Sequence, residues 1–316
     1  MDQSQKTVLR TITIIGGSLS LASTIIAFIL FWFFKENRSF TFEIQMYLTF
    51  SIFLYSLSSL LPYEIECVWC SIQSYLLNTS LTSLSIWSTI MGYSCLISMI
   101  HKTHLEQHKK FYRIVFLSTA FAFPLVLSSV ILFTKIYGDS NGICWIDVGT
   151  EYKVRFIFKM VMMFYLIDWY IIIVNVFFIL KIFLMNRRSH QNKNELYAYI
   201  KWYPIVNVVC EVIATINRIN GLFNGEKITF ILSIIQVIFD SFEGLVFVCI
   251  FLFSPGISQS VIVFCRRIFN RKNEISTSNS MATGDNSISD DNALFKVNNE
   301  ESDFTKKIEE DYGLGI

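Results

Sequence analysis

Up to about residue 266 the chain alternates between long apolar stretches and short polar ones; beyond that point it is polar without any period. Seven of the apolar stretches, residues 8–34, 41–61, 70–100, 111–134, 154–184, 199–222 and 228–253, are long enough to cross a bilayer. About 20 apolar residues in a helix span the hydrocarbon core, which is ~30 Å thick. A helix is the open-ended solution in lipid, because each backbone polar group must find its partner inside the segment. The pattern predicts an all-α membrane protein, a seven-transmembrane helix bundle. Its connections are short, so consecutive helices are expected to be antiparallel neighbours. The first stretch is too long for a removable signal peptide and lacks a small-residue cleavage pattern, which makes it a retained anchor.

After Ser254-Pro255-Gly256 the pattern changes. Ile257, Val261, Phe264, Cys265, Ile268 and Phe269 recur at helical spacing, with Ser258, Gln259, Arg266, Arg267 and Asn270 between them. That is the signature of a short amphipathic helix lying on a membrane surface, over 256–272. Cys265 is a candidate for lipidation there; an unmodified thiol fits equally. Residues 273–316 are rich in Ser, Asn, Asp and Glu with scattered apolar residues, a composition that predicts a disordered tail. Its Ser and Thr hydroxyls, from Ser276 to Ser289, are candidate phosphorylation sites. The expected organisation is a short extracellular N-terminus (1–7), the bundle (8–255), the surface helix (256–272) and a cytoplasmic tail (273–316).

Composition and charge sharpen this picture. Of the 316 residues 53% are hydrophobic and only 16% charged, too few charges to cover the surface of a soluble domain. Lys and Arg are divided unequally between the two sets of connections, fifteen against seven. The richer set includes Lys102, Lys109, Lys110, Arg187 and Arg188. The positive-inside rule then puts the N-terminus outside and the C-terminus in the cytoplasm. The net charge of +1 gives no reason to expect a nucleic-acid partner.

Cys144 lies in the longest outer connection, among the turn residues Gly138, Asp139, Asn141 and Gly142, and Cys70 opens the third span at the same face. In an oxidising compartment these two are candidates for a disulfide. Cys67 competes for Cys144, and sequence does not exclude it. Within the spans lie Glu43, Lys159, Asp168, Glu211, Arg218, Asp240 and Glu243. Each costs about 2.5–3.5 kcal/mol to insert and is expected to face the bundle interior. Glu43 and Arg218 are near span ends, where they can reach water. Two roles fit the deeper set: a hydrogen-bonded network holding helices together, or a polar cavity rimmed by Lys153, Arg155 and Arg218. Such a rim suits an anionic or strongly polar small ligand.

Enzyme signatures are missing: there is no phosphate-binding Gly-rich loop and no nucleophile elbow. No cofactor is implied. His101, His104 and His108 can share a helix face, but they sit beside Lys109 and Lys110, where a solvated basic loop outweighs a metal site. No Lys occurs from 228 to 265, which excludes a retinal Schiff base in the seventh span.

At three places the chain resembles the cyclic-AMP-receptor-like family of seven-helix, G-protein-coupled receptors of slime moulds and other protists. In the third span Cys70 is followed seventeen positions on by Trp87, then Ser88-Thr89. The outer connection reads Gly142-Ile143-Cys144-Trp145-Ile146, with Tyr152 and Arg155-Phe156 downstream, similar to the family's Cys-Trp-Ile and Tyr-Arg-Phe; here two residues separate Tyr152 from Arg155. The sixth span ends Asn217-Arg218-Ile219-Asn220-Gly221-Leu222, similar to the family's Asn-Arg-Ile run. The third span ends Met99-Ile100-His101-Lys102-Thr103, without the rhodopsin-like Asp-Arg-Tyr, and Asn-Pro-x-x-Tyr is absent as well.

The resemblance implies a plasma-membrane receptor that binds an extracellular small ligand and activates a heterotrimeric G protein, with tail kinases or arrestin-like proteins as further partners. Residues expected at the ligand are Arg218, Asn217, Trp145, Tyr152, Lys153, Arg155 and Asp240. Lys102, Lys109, Lys110, Arg187 and Arg188 are expected to face the G protein. Pro204, near the inner end of the sixth span, is the expected conformational hinge. The alternative is an ion or proton-coupled transporter or channel that uses the intramembrane carboxylates Asp168, Asp240 and Glu243.

Overall fold

In the computed structural model the described residues are 3–33, 40–61, 68–101, 104–133, 137–140, 143–146, 166–188, 199–223 and 226–254. They form α1 (Gln3–Phe33), α2 (Phe40–Leu60), α3 (Val68–Ile100), α4 (His104–Gln107), α5 (Lys109–Leu117), α6 (Phe123–Phe133), α7 (Leu166–Arg188), α8 (Trp202–Phe223) and α9 (Glu226–Leu252). A π-helical turn, Ser118–Ala122, joins α5 to α6, so Lys109–Phe133 is a single membrane-length helix. Between α6 and α7 an antiparallel hairpin pairs β1 (Tyr137–Ser140) with β2 (Ile143–Ile146). The expected surface helix, Cys265 and the tail lie outside the described residues.

These elements make one bundle of seven rods, counting α5–α6 as one. The second rod α2 packs between α1 and α3; α9 closes against α1 on one side and α8 on the other. The third rod, α3, is the hub, touching α2, α6, α7, α8 and the hairpin. Most of its residues from Cys70 to Cys95 are buried accordingly. By contrast α7 turns large apolar side chains such as Ile173, Phe177, Leu180 and Phe183 outwards, as a lipid-facing helix does.

Among the described residues five helices are by length and hydropathy able to cross a membrane: Gln3–Phe33, Val68–Ile100, Lys109–Phe133, Leu166–Met185 and Phe230–Leu252. Of the other two rods, α8 is apolar over Trp202–Asn217. The remaining rod, α2, is the more polar, and its sequence explains how it is tolerated. Thr49, Ser51, Ser58 and Ser59 each donate their hydroxyl to a carbonyl three or four residues back. A hydroxyl satisfied inside its own helix brings little polarity to the interior. The same device starts α1 at Gln3, five residues before the apolar stretch: Thr7 donates to the Gln3 carbonyl at 3.0 Å and Thr11 to the Thr7 carbonyl at 2.9 Å.

The largest core cluster joins Ile44, Leu48 and Ile52 of α2 to Leu84, Trp87 and Met91 of α3. Trp87 stacks on Tyr47 with ring centroids 5.2 Å apart, and Phe121 from the π turn lies 5.5 Å from Trp87. Opposite this cluster, α1 and α9 approach so closely that a side chain at Gly16 would collide with Cβ of Ser241. Ser20 uses the space to donate to the Ser241 carbonyl at 2.7 Å. A side chain at Gly244 would meet Ile52 of α2 in the same way. Absence of a Cβ is what lets these backbones meet.

Candidate functional site

The positions 233, 236, 240 and 243 fall on one face of α9, and 210, 211 and 217 on a facing strip of α8. Polar groups so placed inside a membrane bundle must bond one another. Asn217 donates to Oε1 of Gln236 at 2.7 Å and to Oγ of Ser233 at 3.3 Å. Gln236 in turn donates to Oδ2 of Asp240 at 3.1 Å. From α3, Ser85 donates to Oε1 of Glu211 at 2.9 Å. Polar groups therefore link α8 to α9 through Asn217, Gln236 and Asp240, and α8 to α3 through Glu211 and Ser85. Two expected ligand residues, Asn217 and Asp240, belong to this set; Gln236, which links them, and Ser233, which also accepts from Asn217, carry no sequence signal beyond their spacing.

At the start of α3 Cys70 is bonded to Cys144, with Cα atoms 5.2 Å apart, and both are buried. The choice between Cys67 and Cys70 is resolved in favour of Cys70. Register places Cys144 opposite Asp139 and Trp145 opposite Gly138, so the bond pins the hairpin to the start of α3. At the same end Arg10 donates to the Leu61 carbonyl at 2.7 Å, and Gln73 reaches the carbonyls of Ser58 and Leu61. Asn78 donates to Ser128 at 2.9 Å, tying α3 to α6. Arg218 lies in α8, one residue after Asn217. Tyr152, Lys153, Arg155 and Lys159 lie outside the described residues. Free thiols among the described residues are Cys95, Cys210 and Cys249.

At the opposite end Glu43, which can reach water as its place near a span end suggests, has a protein partner instead. Arg113 of α5 donates through Nη2 to both oxygens of Glu43, at 2.8 and 2.6 Å, and through Nε at 3.1 Å. Glu106 of α4 accepts the backbone N–H of Phe40 at 2.6 Å, and Phe40 stacks on Phe116. A carboxylate on a free N–H at the start of α2 is favoured by the helix dipole as well as by the bond. Lys109 and Lys110 are exposed at the start of α5, while Arg187 and Arg188 end α7; Lys102 lies outside the described residues. The histidines are more ordered than a solvated loop: His104 opens α4, half-buried, with its ring 4.9 Å from that of His108 and 6.0 Å from that of His101. Among the described residues no three His, Cys, Asp or Glu side chains are arranged to hold a metal ion.

Pro204 is buried in the first turn of α8. Residues 199–200 are helical, Lys201 is a turn, and α8 starts at Trp202. The break falls where a proline ring clashes with the carbonyl four residues before it, while in a first turn its missing N–H costs nothing.

Residues 6–247 match the profile of the family described as 7 transmembrane receptor (Secretin family). A protein of Arabidopsis thaliana called "G-protein coupled receptor 1" is 24% identical over 250 residues, which cover 73% of this chain and 74% of that protein.

Proposed function

From a chain that belongs to the secretin-family seven-transmembrane receptors, we propose a G-protein-coupled receptor that binds a small polar or anionic ligand at its disulfide end and activates a heterotrimeric G protein at the other. The observation that carries the reading is the polar set Asn217–Gln236–Asp240, which links α8 to α9 in a bundle matched by a receptor family along most of its length. Its relative is itself named a G-protein coupled receptor. The disulfide end is extracellular in this reading and the membrane is the plasma membrane. Arg218, Lys153, Arg155, Tyr152 and Trp145 line the ligand's entrance, and Lys102, Lys109, Lys110, Arg187 and Arg188 meet the G protein. The tail takes kinases and arrestin-like proteins through its hydroxyls, and Cys265 is lipidated.

The finer relationship we propose is to the cyclic-AMP-receptor-like receptors, on the strength of Cys70 with Trp87, Cys144-Trp145-Ile146 and Asn217-Arg218-Ile219. Ligand binding shifts a balance between two bundle packings, by no more than the ligand's difference in affinity for them. The helix break beside Pro204 supports α8 as the element that moves.

The test is a screen of small polar ligands against the full-length receptor with a co-expressed heterotrimeric G protein, read as nucleotide exchange. Ligand-dependent exchange that is lost on Asn217→Ala, with surface expression kept, is the expected result. Solute uptake or current in reconstituted membranes, without exchange, would replace the receptor reading by transport.

A further inference from the structure

Past the end of α3 the backbone keeps its histidines in line. The His104 N–H donates to the His101 carbonyl at 3.2 Å, the His108 N–H to the His104 carbonyl at 3.2 Å and the Tyr112 N–H to the His108 carbonyl at 3.1 Å. These bonds lay His104, His108 and Tyr112 along one helical course with His101 a turn before them, so the four side chains share a face. The rings follow that order. Centroids of His101 and His104 are 6.0 Å apart, those of His104 and His108 4.9 Å, and Tyr112 lies 6.0 Å from His104.

Two histidines four residues apart on a helix are the pair that zinc sites use. With metal–nitrogen bonds of about 2.0–2.1 Å and an angle of about 90–110° between them, two imidazoles on one ion have centroids about 4.5–5.2 Å apart. His104 and His108 fall inside that range, and His101 and His104 fall outside it. Neither ring of the pair is committed to its own helix: His108 precedes α5 without a side-chain cap bond. Glu106, the carboxylate between them, is turned to the Phe40 N–H of α2 instead. Among the described residues no third His, Cys, Asp or Glu completes the set, so the other positions on an ion would belong to water. His104 is half-buried and His108 exposed, which leaves water its access. A pair of neutral imidazoles selects zinc or copper(II) over magnesium or calcium, which take oxygen ligands. The neighbouring cations are held off: Lys109 and Lys110 are exposed, where water and salt screen them, and Arg113 is paired with Glu43.

We propose that His104 and His108 form a two-imidazole site for a divalent transition ion of the zinc and copper(II) class, at the turn where α4 passes into α5. His104 opens the segment that bonds the start of α2 through Glu106, and His108 immediately precedes Lys109 and Lys110. An ion across the two rings fixes this turn in the conformation that reaches α2. The site goes beyond the receptor reading, and its occupancy is measured without ligand or G protein.

The experiment uses the full-length protein, purified in detergent without a polyhistidine tag, and titrates it with zinc chloride or copper(II) sulfate. The expected result is one equivalent of zinc bound, displaced by copper(II) and untouched by magnesium. Electron paramagnetic resonance of the copper(II)-loaded protein should show the splitting of two coordinated nitrogens. His104→Ala and His108→Ala each weaken binding about tenfold or more, because one arm of the chelate is lost. His101→Ala and His190→Ala leave it unchanged. His108 is exposed, so its variant serves if His104→Ala fails to fold. Binding that survives both substitutions in the pair overturns the site, as does a copper(II) signal without coordinated nitrogen. A loss on His101→Ala as large as that on His108→Ala overturns the assignment to this pair.

Discussion

Arg113 holds Glu43 through two of its nitrogens, a fork that a lysine cannot reproduce. The pair ties α5 to the first turn of α2, beside the Glu106 bond to the Phe40 N–H. Its side chains are 38% and 23% exposed, so solvent screening limits its worth. Arg113→Lys is expected to lower stability by no more than about 1 kcal/mol, the range of exposed pairs. Added salt should shrink the difference between the two proteins in a thermal melt. Glu43→Gln should cost about as much, and Glu43→Gln with Arg113→Lys little more than either alone, because all three break one interaction. Additive losses would mean that each side chain acts through separate contacts. None of this pairing was legible in the sequence. Glu43 sat near a span end where water was an adequate partner, and nothing local connects it to a residue seventy positions on. Gln236 stayed silent for the same reason: a single amide says nothing about what faces it.

Helix existence was legible because lipid leaves the backbone no alternative, and bounds were lost where hydroxyls did the work that apolar side chains usually do, as at Thr7 and Thr11 in α1. Helix neighbours are another matter, since they depend on which faces are small. Gly16 and Gly244 look alike in sequence to Gly92, yet their surroundings differ. A Cβ at Gly16 or Gly244 would collide with a neighbouring helix, whereas one at Gly92 would lie 3.3 Å from Cβ and Cδ2 of Phe178, which must yield by only a few tenths of an ångström. Gly16→Ala and Gly244→Ala should therefore each cost about 1–3 kcal/mol, the usual penalty of overpacking, while Gly92→Ala should cost less than either. Melting midpoints of the detergent-purified variants check this. A loss at Gly92 matching that at Gly16 would show that the α1–α9 contact is no tighter than the rest of the bundle.

Across the whole molecule, the Cys70–Cys144 bond is the longest-range covalent constraint among the described residues, joining positions 74 apart. That pairing was half legible: turn residues marked the loop around Cys144, but Cys67 and Cys70 differed by less than a helical turn, and only the packing of α3 against the hairpin separates them. A loop of that size closed in an unfolded soluble chain would contribute about 4 kcal/mol. Membrane helices stay helical when the bundle comes apart, so the chain that is cross-linked is already constrained and the gain is smaller. Cys70→Ser, Cys144→Ser and the double variant should therefore lose the same amount, below about 4 kcal/mol, because each removes a single bond. Reductant should lower the melting midpoint of the wild-type protein to that of the variants and leave theirs unmoved. A double variant that loses the sum of the single losses would move the stabilisation from the bond to the packing of the two buried side chains. The hairpin would then be held to α3 by contact alone.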